Sequence, residues 1–202
     1  MKMNRFWYRF LYSIVRAGMF FWHPVFRVEG REKIPEGPCV ICSNHVGMAD
    51  PIWTIFALRQ PRFFRIMAKD QLMHLPVLQH LFRWIGMIGV KRGEGDIAAV
   101  KTALKALKDG EKLLIYPEGT RVRETRPEAK TGAVMLAQRA GCPLLPLYMQ
   151  RRRHPFSALH AVIGEPVWVQ TAGARPTAEE LRRQTDALMD GIYAMGEGLE
   201  CR

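Results

Sequence analysis

The fold of this chain is decided by the stretch Cys39-Val40-Ile41-Cys42-Ser43-Asn44-His45-Val46-Gly47-Met48-Ala49-Asp50-Pro51. Its first four residues are apolar and have the length and composition of a buried strand. Pro51 stands where a helical pattern begins, and proline is favoured in the first turn of a helix. His45 is therefore expected at the point where a strand ends and a helix begins, which is a place where functional sites form.

The spacing of His45 and Asp50 suggests a catalytic pair. A histidine that takes a proton from a hydroxyl needs a carboxylate on its other ring nitrogen, which fixes the tautomer and stabilises the imidazolium. Five residues apart on one helix, the two side chains would point about 140° away from each other, so contact requires a turn between them. Gly47 permits that turn. The alternative is a solvated loop histidine beside an aspartate that only N-caps the next helix.

Length and charge limit the classes of function. The chain has 202 residues, 48% of them hydrophobic, which is enough for one substantial core and favours a single domain. Thirty Lys and Arg against nineteen Asp and Glu leave a net charge of +11. Such a charge favours anionic partners, namely nucleic acid, an anionic membrane surface or phosphorylated small molecules, and does not choose among them.

The cysteines do not predict a disulfide framework. Cys39, Cys42, Cys142 and Cys201 are few and scattered, and no cleavable signal peptide is evident, so a reducing interior is expected. On a strand, Cys39 and Cys42 would point to opposite faces of the sheet. They are interpreted as small buried hydrophobic residues, with a metal or redox role as the minor alternative.

Residues 1–24 are predicted to form an N-terminal membrane-associating segment, one amphipathic helix or a helix pair, ahead of an α/β domain at 25–202. Wound as a helix, residues 3–22 separate cationic and apolar side chains. No charge-free run is long enough to span a membrane, so the segment is expected to lie on the surface. A terminal helix packed on the core is the alternative. One face carries Lys2, Arg5, Arg9 and Arg16, and the other carries Trp7, Phe10, Leu11, Ile14, Gly18 and Phe21.

Strand and helix signals alternate along the remaining chain, which predicts an α/β fold with a mixed, largely parallel sheet flanked by helices. A helix capped by Asp96 and closed at Gly110 should place Ile97, Val100, Leu104 and Leu107 on one face. In such sheets, sites gather at the carboxyl ends of parallel strands. The predicted strands lie at 25–28, 39–43, 63–68, 86–92, 113–116 and 159–163, and the other helices at 51–58, at 76–85 and after the capping box of Thr177 and Glu180.

The segment Tyr116-Pro117-Glu118-Gly119-Thr120-Arg121 follows an apolar strand and is a second candidate site. Proline and glycine end the strand, and a carboxylate and a guanidinium follow within the turn. That combination favours a phosphate or polyol site over a plain turn, because guanidinium groups bind phosphate through charge-assisted hydrogen bonds. A solvated turn is the alternative.

Four blocks in this order resemble the glycerolipid acyltransferase family, over roughly residues 25–165. Each block alone is a weak indicator of the family, whereas all four together in this order are specific for it. The departures are Tyr116, Val122, Leu145 and Leu147, none of which touches the expected chemistry. The blocks are Asn44-His45 with Asp50, then Gly86-x-Ile88-x-Val90-x-Arg92, then Pro117-Glu118-Gly119-Thr120-Arg121, and then Leu145-Pro146-Leu147.

The resemblance implies a glycerol-3-phosphate acyltransferase-like fold and a role for each motif residue. His45 would be the general base and Asp50 its orienting group, with no acyl-enzyme intermediate. The acceptor's phosphate would be held by Arg92 and Arg121, with Lys69 as a further candidate. The remaining residues implied to bind or shape the acceptor site are Asn44, Glu118, Gly119 and Thr120.

The implied reaction is transfer of a fatty acyl group from acyl-CoA or acyl carrier protein to the free hydroxyl of lysophosphatidic acid. It needs neither a metal nor another cofactor, and the expected partners are these substrates and the cytoplasmic face of the cell membrane, with no nucleic acid. One alternative keeps the fold and changes the acceptor to another lysolipid, a lipid amine or glycerol phosphate. The other is a peripheral membrane-binding protein without catalysis.

Overall fold

The structure is a computed structural model that describes residues 5–59, 64–76, 78–91, 95–122, 124–151, 156–171, 173 and 176–199. Helices and strands alternate through most of this range, and a seven-stranded sheet forms the centre. In chain order the elements are α1 (Arg5–Trp22), β1 (Phe26–Glu29), β2 (Val40–Ser43), α2 (Asp50–Leu58), β3 (Phe64–Lys69), α3 (Leu78–Trp84), β4 (Ile88–Val90), α4 (Ile97–Lys108), β5 (Lys112–Ile115), α5 (Gly132–Ala140), β6 (Leu144–Met149), β7 (Leu159–Ile163) and α6 (Ala178–Ala194).

The sheet has the strand order β1-β7-β6-β2-β5-β3-β4. All neighbouring strands are parallel except β6 and β7, which are antiparallel. The carboxyl ends of β2 to β6 consequently lie at one edge, and those of β1 and β7 lie at the other. The expectation of a mixed, largely parallel sheet flanked by helices is confirmed.

The two faces of the sheet are buried by different helices. Strand β2 shows the division, because Val40 and Cys42 belong to the core beneath α4, α5 and α6, whereas Cys39 and Ile41 belong to the core beneath α1 and α2. The two cysteines therefore point to opposite faces, and both are fully buried, as expected from a period of two.

Helix α1 is continuous and has a packed face and an exposed face. Tyr12, Val15 and Met19 pack on the core, and the ring of Tyr12 meets that of Phe56 edge-on at 5.0 Å. Apolar side chains on another face of the same helix remain exposed. The packed-helix alternative therefore describes one face of α1, whereas the expectation that the helix lies on a membrane surface stays a prediction. In the described part of the chain no helix has the length and apolarity needed to span a membrane. The exposed apolar residues include Phe10, Ile14 and Phe21.

Helix α4 corrects the sequence analysis at one position. Asp96 caps it as expected, accepting from the backbone N–H of Ala99 at 2.9 Å. Ile97, however, is 68% exposed and does not belong to the buried face. The rest of the predicted face is confirmed, because Leu107 is 1% exposed and Val100 and Leu104 pack against the same core cluster, which also contains Ala103.

Candidate active site

The side chains of His45 and Asp50 are in direct contact. His45 Nδ1 lies 2.9 Å from Asp50 Oδ2, and the same oxygen accepts the backbone N–H groups of Val46 at 2.6 Å and Gly47 at 2.8 Å. The backbone N–H of Asp50 donates to the carbonyl of Gly47 at 3.3 Å. The turn that the sequence argument required is therefore present.

Asp50 orients the histidine and does not cap the helix that it begins. It is the first residue of α2, whose N-cap is Ala49, without a capping side-chain hydrogen bond. Its side chain is fully buried. A carboxylate on Nδ1 favours the ring tautomer with its proton on that nitrogen, which leaves a lone pair on Nε2. The pair thus has the arrangement of a general base with its orienting acid.

The imidazole is held flat against an aromatic ring. His45 stacks on Tyr116 with ring centroids 4.2 Å apart and an interplanar angle of 23°. The Tyr116 hydroxyl lies 3.4 Å from Thr54 Oγ1 on α2. The His45 side chain is 19% exposed, and among the described residues none hydrogen-bonds to its Nε2. The nitrogen that would accept a proton is thus available to a substrate.

The main chain of His45 is fixed by the loop that follows β5. Its N–H donates to Glu118 Oε2 at 2.8 Å, and its carbonyl accepts from the N–H of Val122 at 2.7 Å. The loop that contains Glu118 and Val122 therefore binds both the N–H and the carbonyl of His45. Arg121 precedes Val122 directly, so its main chain lies next to that of the histidine.

Glu118 is a buried carboxylate with two donors. It is 2% exposed, and its second oxygen accepts a short hydrogen bond from the hydroxyl of Tyr193 on α6. Burial raises the pKa of this carboxyl above its ordinary value, and the hydrogen bonds from Tyr193 and His45 act against that rise. These contacts give Glu118 a role in holding the site.

Gly119 and Lys130 lie against each other in this loop. Gly119 has φ +66°, in the left-handed region that favours glycine, and a Cβ atom there would lie 3.2 Å from the Lys130 side chain. The N–H of Lys130 donates to the carbonyl of Pro117 at 2.8 Å. The start of α5 at Gly132 is thereby tied to the motif.

Thr120 and Arg121 are presented to solvent. Together with Glu124 and Thr125 they line an open, polar cavity of about 590 Å³. Among the described residues, no side chain forms an ion pair with the Arg121 guanidinium. This arrangement can receive an anion, whereas their assignment to acceptor binding stays a prediction.

The remaining candidates separate into three cases. Lys69 ends β3 at the same edge of the sheet as His45 and is exposed. Arg92 lies outside the described residues. Asn44 is fully buried, and its amide group is engaged with both the carbonyl and the N–H of Met149, each at 2.8 Å. The amide of Asn44 thus holds β6 to the end of β2, and its assignment to the acceptor site stays a prediction.

Sequence reasoning missed the contribution of α6. Tyr193 reaches Glu118 from a helix interpreted as scaffold, and the guanidinium groups of Arg126 and Arg151 lie 4.9 and 5.7 Å from the centre of its ring. No local motif marks these residues. The signal is tertiary, because 75 residues separate Tyr193 from Glu118.

Comparison with known proteins gives this geometry a context. A model of the acyltransferase family matches residues 25–150. A 1-acyl-sn-glycerol-3-phosphate acyltransferase from Bacillus subtilis (strain 168) is 30% identical over 180 residues, covering 86% of this chain and 89% of the relative. A chloroplastic 1-acyl-sn-glycerol-3-phosphate acyltransferase, BAT2 from Brassica napus, is 29% identical over 125 residues, which are 59% of this chain and 36% of that longer relative.

The fold also has a counterpart among solved structures. The crystal structure of the 1-acyl-sn-glycerophosphate (LPA) acyltransferase PlsC from Thermotoga maritima superposes with a TM-score of 0.68 at 22% sequence identity. The match covers 96% of this chain and 84% of that one. At this identity the likeness concerns the architecture, and it includes the arrangement of helices around the sheet.

Proposed function

This chain belongs to the acyltransferase family, and from that premise we propose that it transfers a fatty acyl group from an acyl thioester to the free hydroxyl of lysophosphatidic acid, giving phosphatidic acid. The observation that carries the proposal is the 2.9 Å contact between His45 Nδ1 and Asp50 Oδ2, which leaves Nε2 to act as a base. The names of the relatives support the choice of acceptor.

The proposed step is direct transfer between the two substrates. Nε2 of His45 takes the proton of the acceptor hydroxyl while the hydroxyl oxygen attacks the thioester carbonyl carbon. The tetrahedral adduct collapses with cleavage of the carbon–sulfur bond, and the leaving thiolate takes the proton back from the imidazolium. Asp50 stabilises that cation. A positioned base of this kind contributes roughly 10²- to 10⁴-fold, so orientation and oxyanion stabilisation must supply the rest.

The nucleophile in this step is the lipid hydroxyl and not a protein side chain. Ser43, the serine nearest to His45 in sequence, is fully buried, and its Oγ donates to the carbonyl of Asn44. The described cysteines are buried too, and burial raises the pKa of Cys39 and that of Cys142 to about 11, which keeps both thiols protonated and weakly nucleophilic.

The acceptor's phosphate is proposed to bind at the cationic loop. Arg121 and Thr120 line the open cavity, and we assign Lys69 and Arg92 as the further cations. A phosphomonoester carries nearly two negative charges, and each charge-assisted hydrogen bond to it contributes roughly 1.5–3 kcal/mol.

We further propose that the enzyme works at the cytoplasmic face of the cell membrane, with α1 lying on the lipid surface. Phe10, Ile14 and Phe21 fall within about 40° of one another around the helix axis and are 51%, 53% and 75% exposed. Arg9 and Arg16 are exposed as well and lie about 100° or more around the helix from this stripe. A helix with exposed aromatic and aliphatic side chains on one face and arginine on another is favoured at the boundary between lipid headgroups and acyl chains.

A panel of acceptors tests the substrate assignment. Purified protein on vesicles receives a labelled acyl thioester of CoA or of acyl carrier protein, together with lysophosphatidic acid, monoacylglycerol or lysophosphatidylcholine. We expect fastest turnover with lysophosphatidic acid, loss of turnover in His45→Ala, and no effect of a metal chelator. Equal rates with and without the terminal phosphate would favour another acceptor, and absence of turnover with every pair would favour the non-catalytic alternative.

A further inference from the structure

A chain of hydrogen bonds joins the C-terminal helix to the catalytic histidine. The hydroxyl of Tyr193 on α6 donates to one oxygen of Glu118, and the other oxygen of Glu118 accepts the backbone N–H of His45 at 2.8 Å. Glu118 is 2% exposed, so these donors stand in place of water on its carboxylate. A buried carboxylate without its donors loses the interactions that favour its charged form.

Cations surround the tyrosine end of this chain. Arg126 lies 4.9 Å from the centre of the Tyr193 ring and forms an ion pair with Asp190 at 2.7 Å, and Arg151 lies 5.7 Å from the same ring. Burial raises the pKa of Glu118, whereas the Tyr193 hydroxyl and the charge of Arg126 lower it. The ionisation of Glu118 therefore depends on Tyr193, which lies on another element, as well as on Arg126 of its own loop.

The position of Tyr193 is fixed by packing. Its neighbour Ile192 is fully buried, and the Tyr193 ring meets the ring of Tyr148 on β6 at 6.5 Å. The end of α6 comes so close to Tyr148 that a Cβ atom at Gly196 would lie 2.1 Å from that ring. A hydroxyl held in this way can orient a partner without reorganising.

We propose that Tyr193 is a positioning residue for acyl transfer: its hydroxyl keeps Glu118 ionised and aimed at the main chain of His45, and so fixes the base in its working position. This role rests on the proposed function of His45. It extends the active site to a helix beyond residues 25–150, the segment matched by the family model. Tyr193 itself need not touch either substrate.

The competing explanation is that Tyr193 only fastens α6 to the body of the protein. Tyr193→Phe separates the two, because it keeps the ring that packs on Tyr148 and faces the arginines and removes only the hydroxyl. Ile192→Val is the matched control, since it trims a fully buried side chain on the same turn of α6 and leaves the bonds of Glu118 in place. Glu118→Gln removes the titrating group.

Two measurements on these variants form the test. The first is the pH dependence of kcat and of KM with lysophosphatidic acid. We expect Tyr193→Phe to lower kcat about tenfold with KM within about twofold, and to move the acid limb of the profile to higher pH. Ile192→Val should leave the profile in place. In a Glu118→Gln background, the added Tyr193→Phe change should no longer move the acid limb.

The second measurement needs no turnover. The side-chain carboxyl of Glu118 is titrated by ¹³C NMR in protein labelled at glutamate, with its signal assigned by its absence in Glu118→Gln. Tyr193→Phe should raise the apparent pKa of this carboxyl. An unchanged titration, or a kinetic profile that matches that of Ile192→Val, would overturn the proposal. If no acceptor is acylated, the proposed function fails on the first measurement, whereas the titration still decides whether Tyr193 controls Glu118.

Discussion

The histidine pair and the cationic loop are built in opposite ways. The carboxylate of Asp50 is fully buried and receives three hydrogen bonds on one oxygen, whereas Arg121 is exposed beside an open cavity. Proton transfer needs donor and acceptor within hydrogen-bond reach, so the base is locked before substrate arrives. Phosphate recognition, the role proposed for the cationic loop, relies on charge, which acts over longer distances and needs less exact placement.

This contrast predicts different kinetic consequences for the two regions. Changes in the locked pair should act on the chemical step, and changes in the cationic loop should act on acceptor binding.

The largest expected effect is that of His45→Ala. Loss of the general base should lower kcat about 10²- to 10⁴-fold with little change in vesicle binding, as measured by acyl transfer and by sedimentation with vesicles. His74→Ala is the matched control, because that histidine is exposed and pairs only with Asp70 among the described residues. If His74→Ala lowered kcat as much as His45→Ala, the loss could not be assigned to the pair of His45 and Asp50.

Arg121→Ala changes the cationic loop and should act on acceptor binding. Removal of one charge-assisted contact is worth roughly 1.5–3 kcal/mol, so KM for lysophosphatidic acid should rise about tenfold or more while kcat stays within about threefold. Lys101→Ala removes an exposed cation on α4 and should leave KM unchanged. A fall in kcat at constant KM would show that Arg121 acts in the chemical step, and the histidine pair and the cationic loop would then not differ in this way.

A smaller effect is expected from the membrane-facing stripe. Phe21→Ser removes a 75% exposed ring and should weaken partition onto anionic vesicles about tenfold, since burying such a side chain is worth roughly 1.5–3 kcal/mol. Ile97→Ser alters a comparably exposed apolar residue on α4 and should leave partition unchanged. If Phe21→Ser, Ile97→Ser and the unaltered protein all bound the vesicles equally well, docking through α1 would be contradicted.

The smallest effect concerns stability and is set by Glu118. Because the folded state raises the pKa of this carboxyl, its ionisation opposes folding above its ordinary pKa, and that penalty vanishes at lower pH. Relative to Glu118→Gln, the unaltered protein should therefore lose free energy of unfolding as pH rises from 4.5 to 8. Urea denaturation at several pH values measures this difference, and parallel curves for the two proteins would contradict it.

The features that could be predicted from the sequence are those made by residues close to one another in the chain. The contact between His45 and Asp50 is local, and Gly47 marks the turn that makes it possible. The capping box of Thr177 and Glu180 is likewise local, and the structure has it. The positions of β1 to β5 and of β7 followed from runs of apolar residues, whereas β6 was not among the predicted strands.

The rest depended on tertiary packing. The amide of Asn44 is committed to Met149, 105 residues away, and no pattern near Asn44 reveals that partner. Ile97 fits an apolar helical face in sequence, yet at the first residue of α4 it stays exposed while Leu107 on the same predicted face is buried. Tyr193 looks like part of a scaffold helix until the fold brings it to Glu118.

The central claim is that Asp50 holds the ring of His45 with its proton on Nδ1 and its lone pair on Nε2. The ¹⁵N NMR shifts of the two ring nitrogens, measured above the pKa of the ring in the unaltered protein and in Asp50→Asn, test this most directly. We predict a protonated Nδ1 and a bare Nε2 in the unaltered protein, with loss of that preference and of most acyl transfer in Asp50→Asn. A neutral ring protonated on Nε2 in the unaltered protein would contradict the assignment of His45 as the base.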